Sequence, residues 1–294
     1  YQRRVRELAF PNPPKDDLST YDLKLHRFQH EILKTQITMS IHEPPEELHV
    51  QNFVFIYSHG NGENIAQMQM WMDDLCKILR STFVTYDYLG YGETNGTPTE
   101  QSTILVASAV YDEVQRLYPD AAIICWGRSI GSVPTVWLGA QKQPSLIIVE
   151  SGIASGVNVV FKKPICGCAG GLDNLSNIAQ VDCRCLIVHG VQDQTIPFRN
   201  ALLLFKAHSN SETQEVEFET PSSNQLCKSG KTWLYCVTGA GHNDLDVLFE
   251  ADLVRVVINF IRSEFEGQFL ECGQENKRIR SKSQRSRTLK TGIL

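Results

Sequence analysis

The sequence predicts an α/β fold in which a mostly parallel central sheet carries helices on both faces. Short, continuous apolar runs recur along the chain, and such runs are typical of strands that are covered on both sides. Between the runs, apolar residues recur at the spacing of amphipathic helices. Regular alternation of strand and helix is the pattern of a doubly wound parallel sheet.

The individual elements follow from these two periodicities. The predicted strands, in chain order, cover residues 53–57, 83–86, 122–126, 146–149, 185–188 and 233–237. Apolar residues at helical spacing predict helices over residues 68–79, 107–118 and 249–260, and a further helix at 132–140 directly after the third strand. Polarity alternates over residues 37–41, which predicts an antiparallel edge strand.

We expect one principal domain, because no internal repeat or linker divides the core. A lead-in at residues 1–34 precedes the domain at 35–270, and a basic, disordered tail is expected at 271–294. Polar residues 209–231 predict a surface insertion with a brief hairpin around 216–218. Residues 156–180 predict a lid or loop that is too short for a large helical cap, so we expect a short or absent cap and an open site.

Composition restricts the classes of function. A hydrophobic content of 42% with 21% charged residues is typical of a globular protein, and no apolar window is long enough for a membrane-spanning helix. The formal charge of −5 argues against nucleic acid as the main partner. Nine scattered cysteines favour a reducing, cytoplasmic location.

Charge is distributed unevenly between the last 22 residues and the rest of the chain. Residues 273–294 carry seven Lys or Arg and one Glu, a net +6, which leaves 21 basic and 32 acidic groups, a net −11, elsewhere. Peripheral contact between the basic end and an anionic membrane surface is one interpretation. A solvated tail without a partner is the other.

Closely spaced cysteines raise the question of a metal site. The pairs are Cys166 with Cys168 and Cys183 with Cys185. Structural zinc sites usually have at least two residues between paired thiolates, and alternate residues of a strand share one face in any case. We therefore expect no metal and no cofactor.

The most informative motif is Gly127-Arg128-Ser129-Ile130-Gly131, which matches G-x-S-x-G. It lies between the predicted strand 122–126 and the predicted helix 132–140, which is the context of a nucleophile elbow. The flanking glycines leave room for a sharp turn that raises the serine hydroxyl above the sheet edge. Ser129 is therefore the predicted nucleophile, with helix capping as its structural alternative.

A serine nucleophile needs a base to take its proton and an acid to orient that base. After an elbow, the acid and then the histidine follow on loops behind later strands. Asp193 follows strand 185–188, and His242 follows strand 233–237, just before a helix predicted to start at Asn243 or Asp244. The three loops are expected to meet at the carboxyl edge of the sheet.

Alternatives remain for both partners of the serine. Glu150 ends the predicted strand 146–149 and competes with Asp193 for the role of the acid. An Asx turn is the structural alternative for Asp193, and an unremarkable surface loop is the alternative for His242.

Two backbone N–H groups must meet the oxyanion that forms during acyl transfer. Ile130, directly after the nucleophile, is the first predicted donor. Asn61, between glycines on the loop after the first buried strand, is the second, and Gly62 is the alternative. His59 on the same loop is expected to anchor the loop rather than to act as a base.

Four stretches together resemble the α/β-hydrolase-domain-containing protein 17 family: Ser58-His59-Gly60-Asn61, Tyr86-Asp87-Tyr88-Leu89-Gly90-Tyr91-Gly92, the elbow with its continuation Ser132-Val133-Pro134-Thr135, and Gly239-Ala240-Gly241-His242-Asn243-Asp244. The resemblance extends from about Glu7 to Ile261 and includes the lead-in Leu8-Ala9-Phe10. It implies the α/β-hydrolase fold and the activity of an acyl-protein thioesterase, which removes palmitate from cysteines of membrane-bound proteins. An acylated protein is then the expected substrate.

Other functions stay open at this point. One is a lipid esterase acting on monoacylglycerol or lysophospholipid, and another is a catalytically silent hydrolase fold that binds a lipidated partner. The family also carries a palmitoylated cysteine cluster just upstream of the lead-in, whereas the first cysteine here is Cys76. Two interpretations stay open: such an anchor is missing from this chain, or it was never present. The long insertion and the basic tail also depart from the family pattern.

Overall fold

The computed structural model describes residues 18–48, 52–156, 171–209 and 221–265. Its strands are β1 (Leu25–His30), β2 (Thr35–His42), β3 (Phe53–Ser58), β4 (Thr82–Tyr86), β5 (Ala122–Arg128), β6 (Leu146–Glu150), β7 (Arg184–Gly190), β8 (Gln225–Ser229) and β9 (Thr232–Val237). They form one sheet in the order β1-β2-β4-β3-β5-β6-β7-β9-β8. The six strands from β4 to β9 in that order are parallel to one another, and the strands outside them are paired antiparallel.

The described helices cover both faces of the sheet. They are α1 (Ile65–Leu79), α2 (Glu100–Leu117), α3 (Ser132–Gln141), α4 (Asn174–Ile178), α5 (Arg199–Ser209) and α6 (Glu250–Arg262). One buried apolar cluster packs α1 and α6 against one face of the sheet. A second cluster packs the four helices α2, α3, α4 and α5 against the opposite face. The predicted α/β fold, with its mostly parallel sheet between two helical layers, is thus confirmed.

Local sequence explains where the helices begin. The side chain of Asn64 accepts hydrogen bonds from the backbone N–H groups of Ala66 and Gln67, which caps α1. Thr99 and Ser102 form a reciprocal capping box at the start of α2. Both helices therefore begin several residues before the apolar periodicity that predicts them.

The two ends of the sheet differ from the sequence prediction. Residues 37–41 lie in an antiparallel strand, as predicted, but β1 pairs along its outer side, so β2 is not the edge. The sheet therefore begins before residue 35, the predicted domain start. At the opposite end of the sheet, β8 lies within the predicted insertion, pairs with β9 and forms the edge strand. The hairpin predicted at 216–218 lies outside the described residues.

The described residues also bear on membranes and metals. Among the helices of these ranges, none is long and apolar enough to span a bilayer. The same ranges hold no cluster of three or more His, Cys, Asp or Glu side chains suited to a metal. Cys183 and Cys185 flank the start of a sheet strand and form no disulfide, and Cys166 and Cys168 lie outside the described residues.

Candidate active site

Ser129 lies on a sharp turn between β5 and α3. Its φ of 54° is in the left-handed region, which is uncommon for a residue with a side chain and typical of strained functional turns. Close packing explains the neighbouring glycine: a Cβ at Gly131 would overlap the carbonyl oxygens of Ser58 and His59. The turn is thus pressed against the end of β3.

His242 lies between Ser129 and Asp193. Its Nε2 is 3.0 Å from the Ser129 Oγ, and its Nδ1 is 2.7 Å from the Asp193 Oδ2. Asp193 follows β7 and His242 follows β9, and these two strands are parallel neighbours in the sheet. Three loops at the carboxyl edge of the sheet therefore bring the predicted nucleophile, base and acid into one hydrogen-bonded series.

Asp193 is fixed by more than the histidine. Its Oδ1 accepts hydrogen bonds from the backbone N–H groups of Thr195 and Ile196, at 2.9 and 2.8 Å. Burial opposes ionisation of the carboxyl, but interactions with His189 and His242 outweigh it and hold the pKa of Asp193 well below its ordinary value. The side chain is therefore an oriented carboxylate.

The acid loop is also tied to the histidine loop. The backbone N–H of Gln192 donates to the carbonyl of Ala240 at 3.0 Å, and a Cβ at Gly190 would overlap that same carbonyl. On the histidine loop, Asp244 accepts from the Gly241 N–H at 2.6 Å. The helix predicted to start at Asn243 or Asp244 begins only at Glu250, because the intervening residues form turns instead.

The competing acid, Glu150, has different neighbours. Its Oε2 accepts a hydrogen bond from the Trp126 indole at 2.9 Å, and its Oε1 lies 3.7 Å from the Arg128 Nε. Burial raises the pKa of Glu150 to about 7. The carboxyl that contacts His242 is that of Asp193, so the geometry favours Asp193 as the acid.

The predicted oxyanion donors lie on the elbow and on the loop after β3. Ile130 directly follows Ser129 and is buried. On the other loop, Tyr91 donates to the side-chain oxygen of Asn61 at 3.0 Å, and Tyr88 donates to the carbonyl of His59 at 2.7 Å. Burial lowers the pKa of His59, whose Nδ1 is 2.9 Å from the Gly60 carbonyl, so this histidine is a neutral part of the loop.

Two residues near the site, His189 and Arg128, have contacts that the sequence motifs do not predict. His189 is fully buried, with its Nε2 3.4 Å from the Asp193 Oδ2 and 2.8 Å from the Ile196 carbonyl. The contact is foreshadowed in the sequence only by the spacing of four residues between His189 and Asp193 at the end of a predicted strand. Arg128 contacts Glu63 and Asn243 on two other loops, a relationship that no local spacing reveals.

Comparisons with known proteins agree with this architecture. The chain is 31% identical over 201 residues to the human α/β hydrolase domain-containing protein 17B, a match that covers 66% of this chain and 62% of that protein. It thus spans less than two thirds of that relative's length. No protein-family model matches the chain.

Solved structures share the fold at low sequence identity. An esterase of Pyrococcus furiosus has a TM-score of 0.65 at 14% identity, and the match covers 87% of this chain and 98% of the esterase. A serine hydrolase of Xanthomonas campestris, described as lacking a lid, has a TM-score of 0.57 at 15% identity, covering 85% and 97%. The chain therefore has the α/β-hydrolase fold, and its sequence resembles the α/β-hydrolase-domain-containing protein 17 family.

Proposed function

We propose that the protein is a serine hydrolase that cleaves acyl thioesters or esters, with removal of palmitate from protein cysteines as its reaction. The observation that carries the proposal is the hydrogen-bonded series from Ser129 through His242 to Asp193. A serine, an imidazole and a carboxylate in this order are the groups that nucleophilic acyl transfer requires.

In the first step, the Ser129 Oγ attacks the acyl carbonyl while its proton passes to the Nε2 of His242. The tetrahedral intermediate collapses, the bond to the leaving sulfur or oxygen breaks, and His242 returns the proton to that leaving group. The product is an acyl-enzyme ester on Ser129 and a free thiol or alcohol.

In the second step, His242 takes a proton from water, and the resulting hydroxide equivalent attacks the acyl-enzyme. Collapse of this second intermediate releases the fatty acid and returns the proton to Ser129. Asp193 accepts the Nδ1–H of His242 throughout, which selects the required tautomer and stabilises the imidazolium. No redox change and no other reactant are involved.

The backbone N–H groups of Ile130 and Asn61 are the proposed donors to the oxyanion in both steps. Such donors act on charge that develops only in the transition state, and the loss of one typically costs a factor of about 10²–10³ in turnover. The tyrosine hydrogen bonds to His59 and Asn61 support this role, because they fix the loop that would present the second donor.

Substrate class rests on the family resemblance and on the similarity to the protein 17B sequence. Contact of the basic end with the cytosolic face of a membrane is the proposed route to membrane-bound acylated proteins. If the substrate is an acylated protein, long-chain acyl groups on peptide cysteines should be better substrates than glycerol esters of the same chain length. The reverse preference would identify a lipid esterase instead.

The direct test uses a fluorophosphonate probe, which reacts covalently with activated serines. Wild-type protein should be labelled and should hydrolyse palmitoyl-peptide thioesters, whereas Ser129→Ala should lose labelling and on the order of 10⁶ in turnover. Absence of labelling in folded wild-type protein would indicate a silent binding protein. Undiminished labelling of Ser129→Ala would remove Ser129 from the mechanism.

A further inference from the structure

The second position of the elbow motif holds a buried cation. Arg128 is the last residue of β5, directly before Ser129, and its side chain is 7% exposed. One guanidinium nitrogen, Nη1, pairs with the Glu63 Oε1, and the other, Nη2, donates to the Asn243 Oδ1 at 2.8 Å. A single side chain beside the proposed nucleophile therefore contacts two other loops.

Both of these loops carry proposed catalytic groups. Glu63 lies on the loop after β3, where its second carboxylate oxygen accepts the Gly60 N–H at 2.5 Å, one residue before Asn61. Asn243 directly follows His242. Arg128 thus contacts the oxyanion loop through Glu63 and the histidine loop through Asn243.

The charge on Arg128 is held in place by surrounding carboxylates. Burial disfavours a guanidinium cation, but the carboxylate of Glu63, and to a smaller extent those of Glu150 and Asp246, raise the pKa of Arg128 above its ordinary value. A guanidinium also offers several N–H donors in a rigid plane, whereas an ammonium group is a point charge. Arginine can therefore bond to Glu63 and Asn243 in two fixed directions at once, whereas lysine cannot.

We propose that Arg128 is a positioning residue that fixes the oxyanion loop and the histidine loop relative to Ser129. This inference rests on the proposed function, because it concerns the geometry of that reaction. Arg128 does not contact the reacting atoms. It acts through Glu63 on the backbone at Gly60 and through Asn243 on the loop of His242.

Positioning and simple stabilisation predict different kinetics. If Arg128 aligns the loops, its loss lowers kcat, since small displacements of donors and base weaken interactions made only in the transition state. KM should change little, because the Arg128 side chain is buried and its contacts are to Glu63 and Asn243. If Arg128 only stabilises the fold, its loss lowers the midpoint of thermal unfolding and leaves kcat of the folded protein unchanged.

The experiment compares Arg128→Met, Arg128→Lys and Glu63→Gln with wild type, using palmitoyl-peptide thioester hydrolysis and the rate of fluorophosphonate labelling. We expect Arg128→Met and Glu63→Gln to lower kcat on the order of 10²-fold, with KM within about threefold. Arg128→Lys should be intermediate, because it retains the charge but not the planar fork. The double variant Arg128→Met with Glu63→Gln should be no slower than Arg128→Met alone, since Arg128→Met already removes the connection to Glu63.

A matched control is the exposed pair of Arg27 and Glu93, whose charged groups are 2.6 Å apart. Arg27→Met removes an arginine of the same size and should leave kcat unchanged. If Arg128→Met does not fold, Glu63→Gln and Arg128→Lys decide, because both retain the shape of the site.

The proposed function and this inference fail in distinguishable ways. If Ser129→Ala keeps wild-type turnover, the proposed function and the role of Arg128 are both overturned. If Ser129→Ala is inactive while the folded Arg128 and Glu63 variants keep wild-type kcat, only the role of Arg128 is overturned. The expected pattern is an inactive Ser129→Ala together with lowered kcat in the Arg128 and Glu63 variants.

Discussion

The Nδ1 of His242 lies 2.7 Å from the Oδ2 of Asp193, although 49 positions separate the two residues in the chain. They meet because β7 and β9 are parallel neighbours, so the loops at their carboxyl ends leave the sheet side by side. A hydrogen bond from Gln192 to Ala240 then joins the two loops directly. The position of the imidazole is thus set by the backbone as well as by the carboxylate.

Replacing Asp193 by Asn should therefore disable the site without unfolding it. An amide can stabilise the wrong tautomer of His242 and cannot balance the charge of the imidazolium, so we expect a loss on the order of 10⁴ in kcat. Thioester hydrolysis by the purified variant measures the loss. Glu150→Gln is the matched control and should stay within about tenfold of wild type, since Glu150 contacts Trp126 and Arg128 instead. The opposite ranking of the two variants would transfer the role of the acid to Glu150.

Glu150 has its own measurable consequence, which concerns stability against pH. Burial raises the pKa of Glu150 to about 7 in the folded protein, above the ordinary value of 4.5. Between these two values the folded state binds the proton more tightly than the unfolded state does, so this group makes folding less favourable as the pH rises from about 4.5 to 7. The full loss is on the order of 3 kcal/mol.

Urea unfolding of wild type and Glu150→Gln at pH 5 and pH 7.5 checks this prediction. The wild-type free energy of unfolding should fall relative to that of the variant between the two pH values, because Gln cannot ionise. A constant difference between the two proteins would mean that Glu150 remains ionised over the whole range.

The elbow glycine gives a test of packing. A Cβ at Gly131 would overlap the backbone carbonyls of Ser58 and His59, which cannot move as a flexible side chain can. Gly131→Ala should therefore destabilise the fold by about 1–3 kcal/mol and displace Ser129, with a corresponding loss of turnover.

Gly230→Ala is the control for the alanine substitution itself. Gly230 has a φ of 53° with no atom close to the added Cβ, so only backbone strain of about 1–2 kcal/mol is expected, with unchanged turnover. Equal activity in the two glycine variants would show that the elbow tolerates the added methyl group.

Much of this architecture is predictable from local sequence, for physical reasons. The buried parallel strands are continuous apolar runs, and Ser129, Asp193 and His242 each follow one of them. Strand β8 is not predictable in this way, because its residues are mostly exposed and polar. The hydrogen bond between Arg128 and Asn243 is likewise invisible, since it joins residues 115 positions apart and depends on how two side chains are oriented.

The basic segment at residues 273–294 is expected to bind anionic membrane surfaces. Residues 273–294 carry a net +6, whereas the rest of the chain carries −11. A basic cluster gains about 1 kcal/mol per Lys or Arg near an anionic surface, and this attraction is screened by salt. We therefore expect vesicles containing phosphatidylserine to bind the chain at low ionic strength and to release it as the salt concentration rises.

The matched variant replaces the seven basic residues of this segment by Gln, which keeps its length. It should lose binding to anionic vesicles while it retains wild-type hydrolysis of a water-soluble acyl thioester. Membrane-bound substrate should then be hydrolysed more slowly by the variant than by wild type, because only the local concentration of enzyme has changed. Equal vesicle binding by the two proteins would leave the basic segment as a solvated tail and would assign any membrane contact to another part of the chain.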